Sequence, residues 1–217
     1  MNFRLFGVTA AVLCLVGCGP KSPDYQSIWT TSATTTTTAP TTTGTGKPVA
    51  FPQYLESIGV SGEQVAPDSL TDLTVSIPTP PGWSTSTNWH FSPGTVAISK
   101  GPSYPMAILM VFKLSGDFDA AEVVKHSFAD AELTQNFKKL DSSTDDYHGF
   151  PSGMIQGSYD QLGQRLHSYN RVVIPTGAAP AKQRYLVQLT ITTIATQAVA
   201  ESDDVEAIIH GFTVAAK

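Results

Sequence analysis

The chain has two cysteines, Cys14 and Cys18, whose thiols could serve a redox centre, a metal site or a covalent modification. Their C-x-x-x-C spacing differs from the C-x-x-C of redox motifs. No third cysteine is present to complete a zinc or disulfide framework. The pair therefore predicts neither redox nor metal chemistry, and the residues around it must be considered.

Those residues have the order of a bacterial export signal. Arg4 supplies a positive charge, and residues 5–16 form an apolar run that is too short to span a bilayer but fits a signal peptide. Leu15-Val16-Gly17-Cys18 then looks like a lipobox, in which the small Gly17 admits a peptidase and the Cys18 thiol accepts a diacylglyceryl group. The alternative is a plain secretory signal with an incidental cysteine. We favour the lipobox and expect a signal peptide over residues 1–17, loss of Cys14, and a lipid anchor on Cys18.

Residues 18–49 are rich in threonine and proline and poor in large apolar side chains. Such a segment buries too little apolar surface to offset the entropy of ordering, so we expect a disordered linker. Its composition is also that of O-glycosylated stalks, and a bare tether remains the alternative. In either case the linker holds a folded domain, residues 50–217, away from the bilayer on the extracytoplasmic face of the cell membrane.

Charge and motifs narrow the function classes. Lys and Arg total 13 against 18 Asp and Glu, a formal charge of −5, which argues against nucleic acid and against electrostatic binding to anionic lipid heads. The sequence lacks the G-x-S-x-G, H-E-x-x-H, Walker A and G-x-G-x-x-G motifs. The acidic stretch Asp141 to His148 could attract calcium, but it lacks the glycine and glutamate of an EF-hand, so an exposed loop is favoured. We predict no catalytic residue, no metal and no cofactor.

Two groups of residues could bind a ligand. Arg165, His167, Tyr169 and Arg171 alternate along one face of a predicted strand. If the rows Gln156, Ser158, Asp160 and Gln188, Thr190, Thr192 align with them, they form a polar face suited to sugars or acidic head groups. The alternative is a solvated outer face with ordinary cross-strand pairs.

The second group is aromatic and lies on the loops after the first strands. It comprises Trp83, Trp89, His90, Phe91 and Tyr104. It could form an apolar mouth for an acyl chain or a partner protein, or it could simply pack against the sheet.

The periodicity of the domain predicts the elements that position these residues. Met106 to Leu114 is nearly continuous in apolar residues, which predicts a central strand covered by helices on both faces. Asp119 precedes Glu122 at capping-box spacing, so we expect a helix there with the stripe Ala121, Val124, Phe128, Ala131. Ser202 should cap a final helix that ends at Gly211, with Phe212 folding back. The remaining predictions are a helix at Phe51–Ile58 and strands at Leu73–Ile77, Thr95–Lys100, Ser152–Asp160, Gln164–Ile174 and Arg184–Ile194, with a hairpin turn at Gly163.

Several segments resemble a known family. The stretches "CGPKSPDYQSI", "YLESIGV", "SLTDLTVSIPTPPGW", "MVFKL", "GFPSGMIQGSYD" and "PAKQRYLVQLTIT" are similar to the LpqN/LpqT lipoproteins of mycobacteria. The resemblance implies a Mog1/PsbP-like fold, an α+β class α/β/α sandwich with a mostly antiparallel sheet. It also implies a cell-envelope lipoprotein rather than an enzyme, because members are associated with mycolic-acid envelope transport and assembly or with host immune recognition. The only residue-level site it carries over is the lipidated Cys18.

We therefore expect a membrane-anchored, non-enzymatic binding or accessory protein of the cell envelope. Its partners would be the membrane, through the anchor, and envelope glycolipid or envelope transport proteins. Two alternatives stay open: a weak hydrolase or transferase acting on envelope glycolipids, and a surface lipoprotein whose acylated N-terminus engages host receptors.

Overall fold

The computed structural model describes residues 49–86 and 91–217. The predicted signal peptide, Cys18 and the rest of the predicted linker up to residue 48 lie outside the described residues, as do Trp89 and His90. The helices are α1 (Phe51–Ser57), α2 (Ala120–Val124), α3 (Ala129–Glu132) and α4 (Ser202–Gly211). The strands are β1 (Ser61–Val65), β2 (Leu73–Ser76), β3 (Ser84–Thr85), β4 (Val96–Ser99), β5 (Met106–Ser115), β6 (Lys138–Ser143), β7 (Ser152–Gln161), β8 (Gln164–Val173), β9 (Tyr185–Ile194) and β10 (Thr213–Ala216).

The strands form one large antiparallel sheet and a small one. The large sheet has the order β3-β4-β5-β9-β8-β7-β6, and β1 also pairs with β5; β2 and β10 pair separately. The turn between β7 and β8 contains Leu162 and Gly163, both at positive φ (49° and 77°). A two-residue hairpin turn needs positive φ at both residues to match the right-handed twist of its strands. The predicted hairpin is confirmed.

Alternate residues of β5 enter two different cores. Leu109 and Val111 pack with Ile208 of α4, and we call this side the α4 face. Phe112 packs with Leu55 of α1 and Val123 of α2 on the opposite side, which we call the α1 face. Because helices cover both faces of a central apolar strand, the predicted α/β/α sandwich is confirmed.

Two helix predictions are corrected. Asp119 caps α2 as expected, since its Oδ1 accepts from the amide N–H of Ala121 at 2.8 Å. The helix, however, stops at Val124, and Val123 and Val124 are buried while Ala121 is exposed. Five residues make less than two turns, so helical periodicity does not decide which of them face the sheet.

The second correction concerns the last helix. Ser202 does not cap α4, because its hydroxyl donates to the Val199 carbonyl at 2.8 Å and Glu201 occupies the N-cap position. The predicted end at Gly211 and the return of Phe212 into the core are confirmed. Along the described ranges, the helices are too short or too polar to cross a bilayer.

Candidate binding surfaces

The register of the sheet decides which predicted site residues share a surface. Arg165, His167 and Arg171 of β8 lie opposite Asp160, Ser158 and Met154 of β7. Cross-strand partners point to the same side of a sheet, so the β7 and β8 rows share the α4 face, as the sequence predicted.

The third row lies on the other side. Gln188 and Thr190 of β9 pair with Val172 and Asn170 of β8, whereas Arg171 pairs with Leu189. Gln188, Thr190 and Thr192 therefore point to the α1 face, and their predicted alignment with the arginine row is wrong. A shift of one residue in register moves a whole row to the opposite face, and sequence alternation alone does not fix that register.

Gln156, Ser158, Asp160, Arg165 and His167 form what we call the polar band of the α4 face. Arg165 Nη1 donates to Asp160 Oδ1 at 3.0 Å, and its Nη2 donates to Ser158 Oγ at 2.7 Å. Gln156 Nε2 lies 3.0 Å from His167 Nε2. The members of the band are thus hydrogen-bonded to one another across β7 and β8.

The band ends at an open cleft of about 470 Å³ beside Arg165, lined also by Asn136, Phe137, Lys138 and Asp160. Asn136 Nδ2 donates to Asp160 Oδ2 at 2.7 Å. This bond and the Arg165 guanidinium lower the pKa of the Asp160 carboxyl, which therefore stays ionised at neutral pH. Burial lowers the pKa of His167, which favours its neutral form.

Tyr169 and Arg171, the other predicted binding residues of β8, are packed into the protein. Tyr169 belongs to the α4-face core and is only 5% exposed. Arg171 Nε donates to the Tyr169 hydroxyl at 2.7 Å and Nη1 donates to Ser152 Oγ at 2.9 Å. The guanidinium also lies over the Tyr147 ring, 4.6 Å from its centroid. These contacts hold the loop that carries Tyr147 onto the sheet.

Trp83 is likewise a packing residue. It lies in the α4-face core, and its Nε1–H donates to Asp204 Oδ2 at 3.0 Å. Asp204 also pairs with Lys100 at 2.9 Å, and the bonds from Lys100 and Trp83 lower the pKa of the Asp204 carboxyl. Trp83 therefore fixes the start of α4 and does not form the wall of an open mouth.

An apolar cleft that the sequence did not reveal lies near the opposite edge of the sheet. We call it the β2–β4 cleft. It has a volume of about 380 Å³ and is lined by Ala66, Pro67, Asp68, Val75, Ser76, Ile77, Gly94, Thr95, Val96 and Leu109. This volume is within the usual range for small-ligand sites. Its walls come from four separate segments, so no single stretch of sequence marks it.

The back of this cleft is held rigidly. Gln64 Nε2 donates to Thr95 Oγ1 at 2.8 Å. Gly94 has φ +88°, and a Cβ there would lie 3.1 Å from the Ala66 amide nitrogen. Glycine is thus needed both for the backbone conformation and for the close approach of the two segments. These contacts hold the Gly94–Thr95 segment against β1 and the residues that follow it, so the cleft is present in the ligand-free structure.

A small cavity with both polar and apolar lining residues lies on the α1 face beside α3. Asp130 Oδ1 accepts from the Phe51 N–H at 2.8 Å, and Ser127, Asn170 and Gln188 also line the cavity. Its volume of about 20 Å³ is large enough for one water molecule. Burial raises the pKa of Asp130. Across residues 49–86 and 91–217, no three His, Cys, Asp or Glu side chains converge as metal ligands would.

Comparison with known proteins identifies relatives along most of the chain. The family model described as "Probable lipoprotein LpqN" matches residues 47–215. "Putative lipoprotein LpqT" of Mycobacterium tuberculosis is 62% identical over 220 residues, which cover 100% of this chain and 96% of the relative. The Mycobacterium leprae protein of the same name is 60% identical over 212 residues, covering 96% and 95%.

A solved structure supports the fold. The crystal structure of LpqN, described as involved in cell envelope biogenesis of Mycobacterium tuberculosis, has a TM-score of 0.64 with 18% identity. The match covers 78% of this chain and 99% of that one. At this identity the likeness establishes the architecture alone.

Proposed function

We propose, from the premise that the chain belongs to the LpqN lipoprotein family, that it is a lipid-anchored accessory protein that binds envelope lipid. The anchor is placed on Cys18 because an apolar run, a small residue and a cysteine occur there in lipobox order. A diacylglyceryl group plus a further acyl chain gives stable anchoring, whereas one chain gives only marginal binding. LpqN is described as involved in cell envelope biogenesis, which supports a location in the cell envelope for the present chain as well.

The proposed ligand-binding element is the β2–β4 cleft, and the proposed ligand is the alkyl chain of a mycolate glycolipid. The single observation that carries this assignment is an open cleft of about 380 Å³ whose walls include Val75, Ile77, Val96 and the buried Leu109. An alkyl chain gains roughly 0.8 kcal/mol for each buried CH₂, so such a wall favours acyl chains over polar solutes. Asp68 also lines the cleft, and a negative charge there disfavours a free fatty acid relative to an uncharged acyl ester.

The polar band is a separate proposed contact, for a sugar or acidic head group of another envelope lipid or of a partner envelope protein. Arg165 is 30% exposed at the side chain and borders the 470 Å³ cleft, so part of its guanidinium is accessible. Its bonds to Ser158 and Asp160 fix its position in advance, which reduces the entropy lost on binding. No residue of this proposal acts as a catalyst.

The cleft proposal is tested by blocking its mouth. Ser76 lines the cleft and Thr74 does not, although both are exposed residues of β2. In a titration of the purified lipoprotein with mycolate glycolipid, we expect Ser76→Trp to weaken binding by about tenfold or more, and Thr74→Trp to leave it unchanged. Equal affinity of the two variants would refute the cleft as the site.

The anchor is tested separately by detergent-phase partitioning and mass spectrometry. The native protein should enter the detergent phase and carry acyl groups at Cys18, and Cys18→Ala should do neither. Recovery of the native protein from the aqueous phase with an unmodified thiol would refute the anchor.

A further inference from the structure

The strand β2 belongs to a two-stranded sheet, so β10 covers only one of its two edges. The Lys217 N–H donates to the Asp72 carbonyl at 3.2 Å, immediately before β2 begins. This bond fixes where the ladder falls, because hydrogen-bonded pairs alternate along an antiparallel pair of strands. The main-chain groups of Thr74 and Ser76 therefore point towards β10.

The alternate residues, Val75 and Ile77, direct their main-chain N–H and C=O groups to the opposite edge. Within residues 49–86 and 91–217, those groups have no hydrogen-bond partner. Ile77 precedes Pro78, which keeps its backbone extended. Val75 is buried and Ile77 is half-buried, so unpaired main-chain groups lie beside apolar side chains. An edge of this kind is a template for a further strand.

The β2–β4 cleft runs along this unpaired edge. Its lining includes three consecutive residues, Val75, Ser76 and Ile77, and no residue of β10. Successive side chains of a strand point to opposite faces, so three in a row border one cleft only when it follows the edge of the strand. The cleft therefore offers main-chain hydrogen bonds in addition to its apolar wall of Val96 and Leu109.

The linker contains one segment with the composition of a strand. Residues 24–39 include neither glycine nor proline. Within them, residues 25–29, Tyr-Gln-Ser-Ile-Trp, hold the large apolar side chains of the tract from 18 to 48. Aromatic and β-branched residues favour extended pairing. This segment is the part of the linker that suits an unpaired edge in an apolar cleft.

The tether is long enough to bring the segment to the cleft. The described chain begins at Val49, and residues 30–48 connect it to Trp29. About 20 residues span about 65 Å when extended, whereas a domain of this size is about 40 Å across. A tethered segment has an effective concentration that is roughly millimolar. This favours the chain's own linker over a second copy or a separate partner strand.

We propose that residues 25–29 add to the unpaired edge of β2 as a further strand, with Ile28 against the apolar wall of the β2–β4 cleft. The segment then occupies the site assigned above to lipid, so a glycolipid binds there by displacing it. This regulatory role rests on the proposed function, whereas the docking of the segment does not.

The docking is tested by hydrogen exchange of the anchored protein in phosphatidylcholine nanodiscs, with fragmentation that resolves single amides. The Val75 and Ile77 amides should exchange about tenfold or more slowly in the native chain than in Ile28→Pro. Proline removes a main-chain N–H from the segment and cannot join the ladder, and the change lies outside the folded domain. The Thr74 and Ser76 amides, which pair with β10, should exchange equally in both proteins.

Thr43→Pro is the matched control, a proline in the same linker but outside the segment, and it should keep the native exchange rates. Fast exchange of the Val75 and Ile77 amides in all three proteins would overturn the docking. Equal protection in the native chain and in Ile28→Pro would overturn it as well. Protection that falls as the protein is diluted would assign the edge to a second copy and would also count against the linker.

The displacement is measured by titrating the same three proteins with mycolate glycolipid. Ile28→Pro should bind several-fold more tightly than the native chain and Thr43→Pro, because no segment has to leave the cleft. Equal affinities would overturn the displacement. Absence of lipid binding by all three, with the amide protection intact, would refute the proposed function and leave the docking in place.

Discussion

Asp130 joins two elements through one hydrogen bond, from the first N–H of α1 to its Oδ1. Burial raises the pKa of this carboxyl, and the Phe51 bond offsets the shift only in part. An acid with a raised pKa binds its proton more tightly in the folded than in the unfolded state. Its contribution to stability is therefore complete below about pH 4 and is lost as pH rises through the folded-state pKa.

Asp130→Asn should keep the acceptor oxygen without the buried charge. We expect its free energy of unfolding at pH 7 to equal or exceed that of the native protein, with a weaker decline between pH 4 and pH 7. Urea unfolding at the two pH values measures both quantities. Asp130→Ala is the control, since it leaves the Phe51 N–H without its acceptor and should cost about 1 kcal/mol at pH 4, where the native carboxyl still carries its proton. An Asn variant as unstable as the Ala variant at pH 7 would contradict this account.

At the scale of elements, two glycines determine how closely the chain between α2 and β6 approaches β7. A Cβ at Gly157 would lie 2.5 Å from the Phe137 ring and 2.8 Å from the Lys138 carbonyl oxygen. A Cβ at Gly153 would lie 2.9 Å from the Val124 carbonyl oxygen. Backbone atoms cannot rotate away, so these segments would have to move outward.

Gly157→Ala should therefore reduce the free energy of unfolding by about 1–3 kcal/mol, the usual cost of overpacking. Gly101→Ala is the matched control, because its Cβ would meet nothing closer than the Tyr104 carbonyl at 3.5 Å. That change should stay within about 0.5 kcal/mol in the same urea titration. Similar losses for the two variants would show that contact with Phe137 and Lys138 does not explain the effect, because the entropic part of a Gly→Ala change is stabilising.

The elements that the sequence predicted are those whose side chains have one clear environment. The long strands β5, β7, β8 and β9 are apolar or alternate regularly, and all were predicted. The strand β6, "KKLDSS", was missed because it is an exposed edge with no buried row, and β3 is only two residues long. Register was not predictable, so Gln188 and Thr190 were assigned to the wrong face. The β2–β4 cleft was also missed, because it exists only once distant segments have packed.

At the scale of the whole molecule, the sheet links two cores, and among the described residues no helix contributes buried side chains to both. Leu109 and Leu189 belong to the α4-face core, while Phe112 and Leu186 of the same strands belong to the α1-face core. Loss of packing on one face therefore frees the strands that hold the other. A domain built this way should unfold in a single transition.

Leu55 and Trp83 allow this coupling to be measured, because they lie in opposite cores. Leu55 is fully buried, so Leu55→Ala should cost about 2–5 kcal/mol. With Trp29 and Trp89 replaced by phenylalanine, fluorescence reports Trp83 alone. In Leu55→Ala, the urea midpoint from Trp83 fluorescence should fall by the same amount as the midpoint from circular dichroism. Glu56→Ala is the control, an exposed change in the same helix, and it should move neither midpoint. If Trp83 kept its native midpoint while the circular dichroism transition moved, α1 would unfold separately, and the sheet would not couple the two cores.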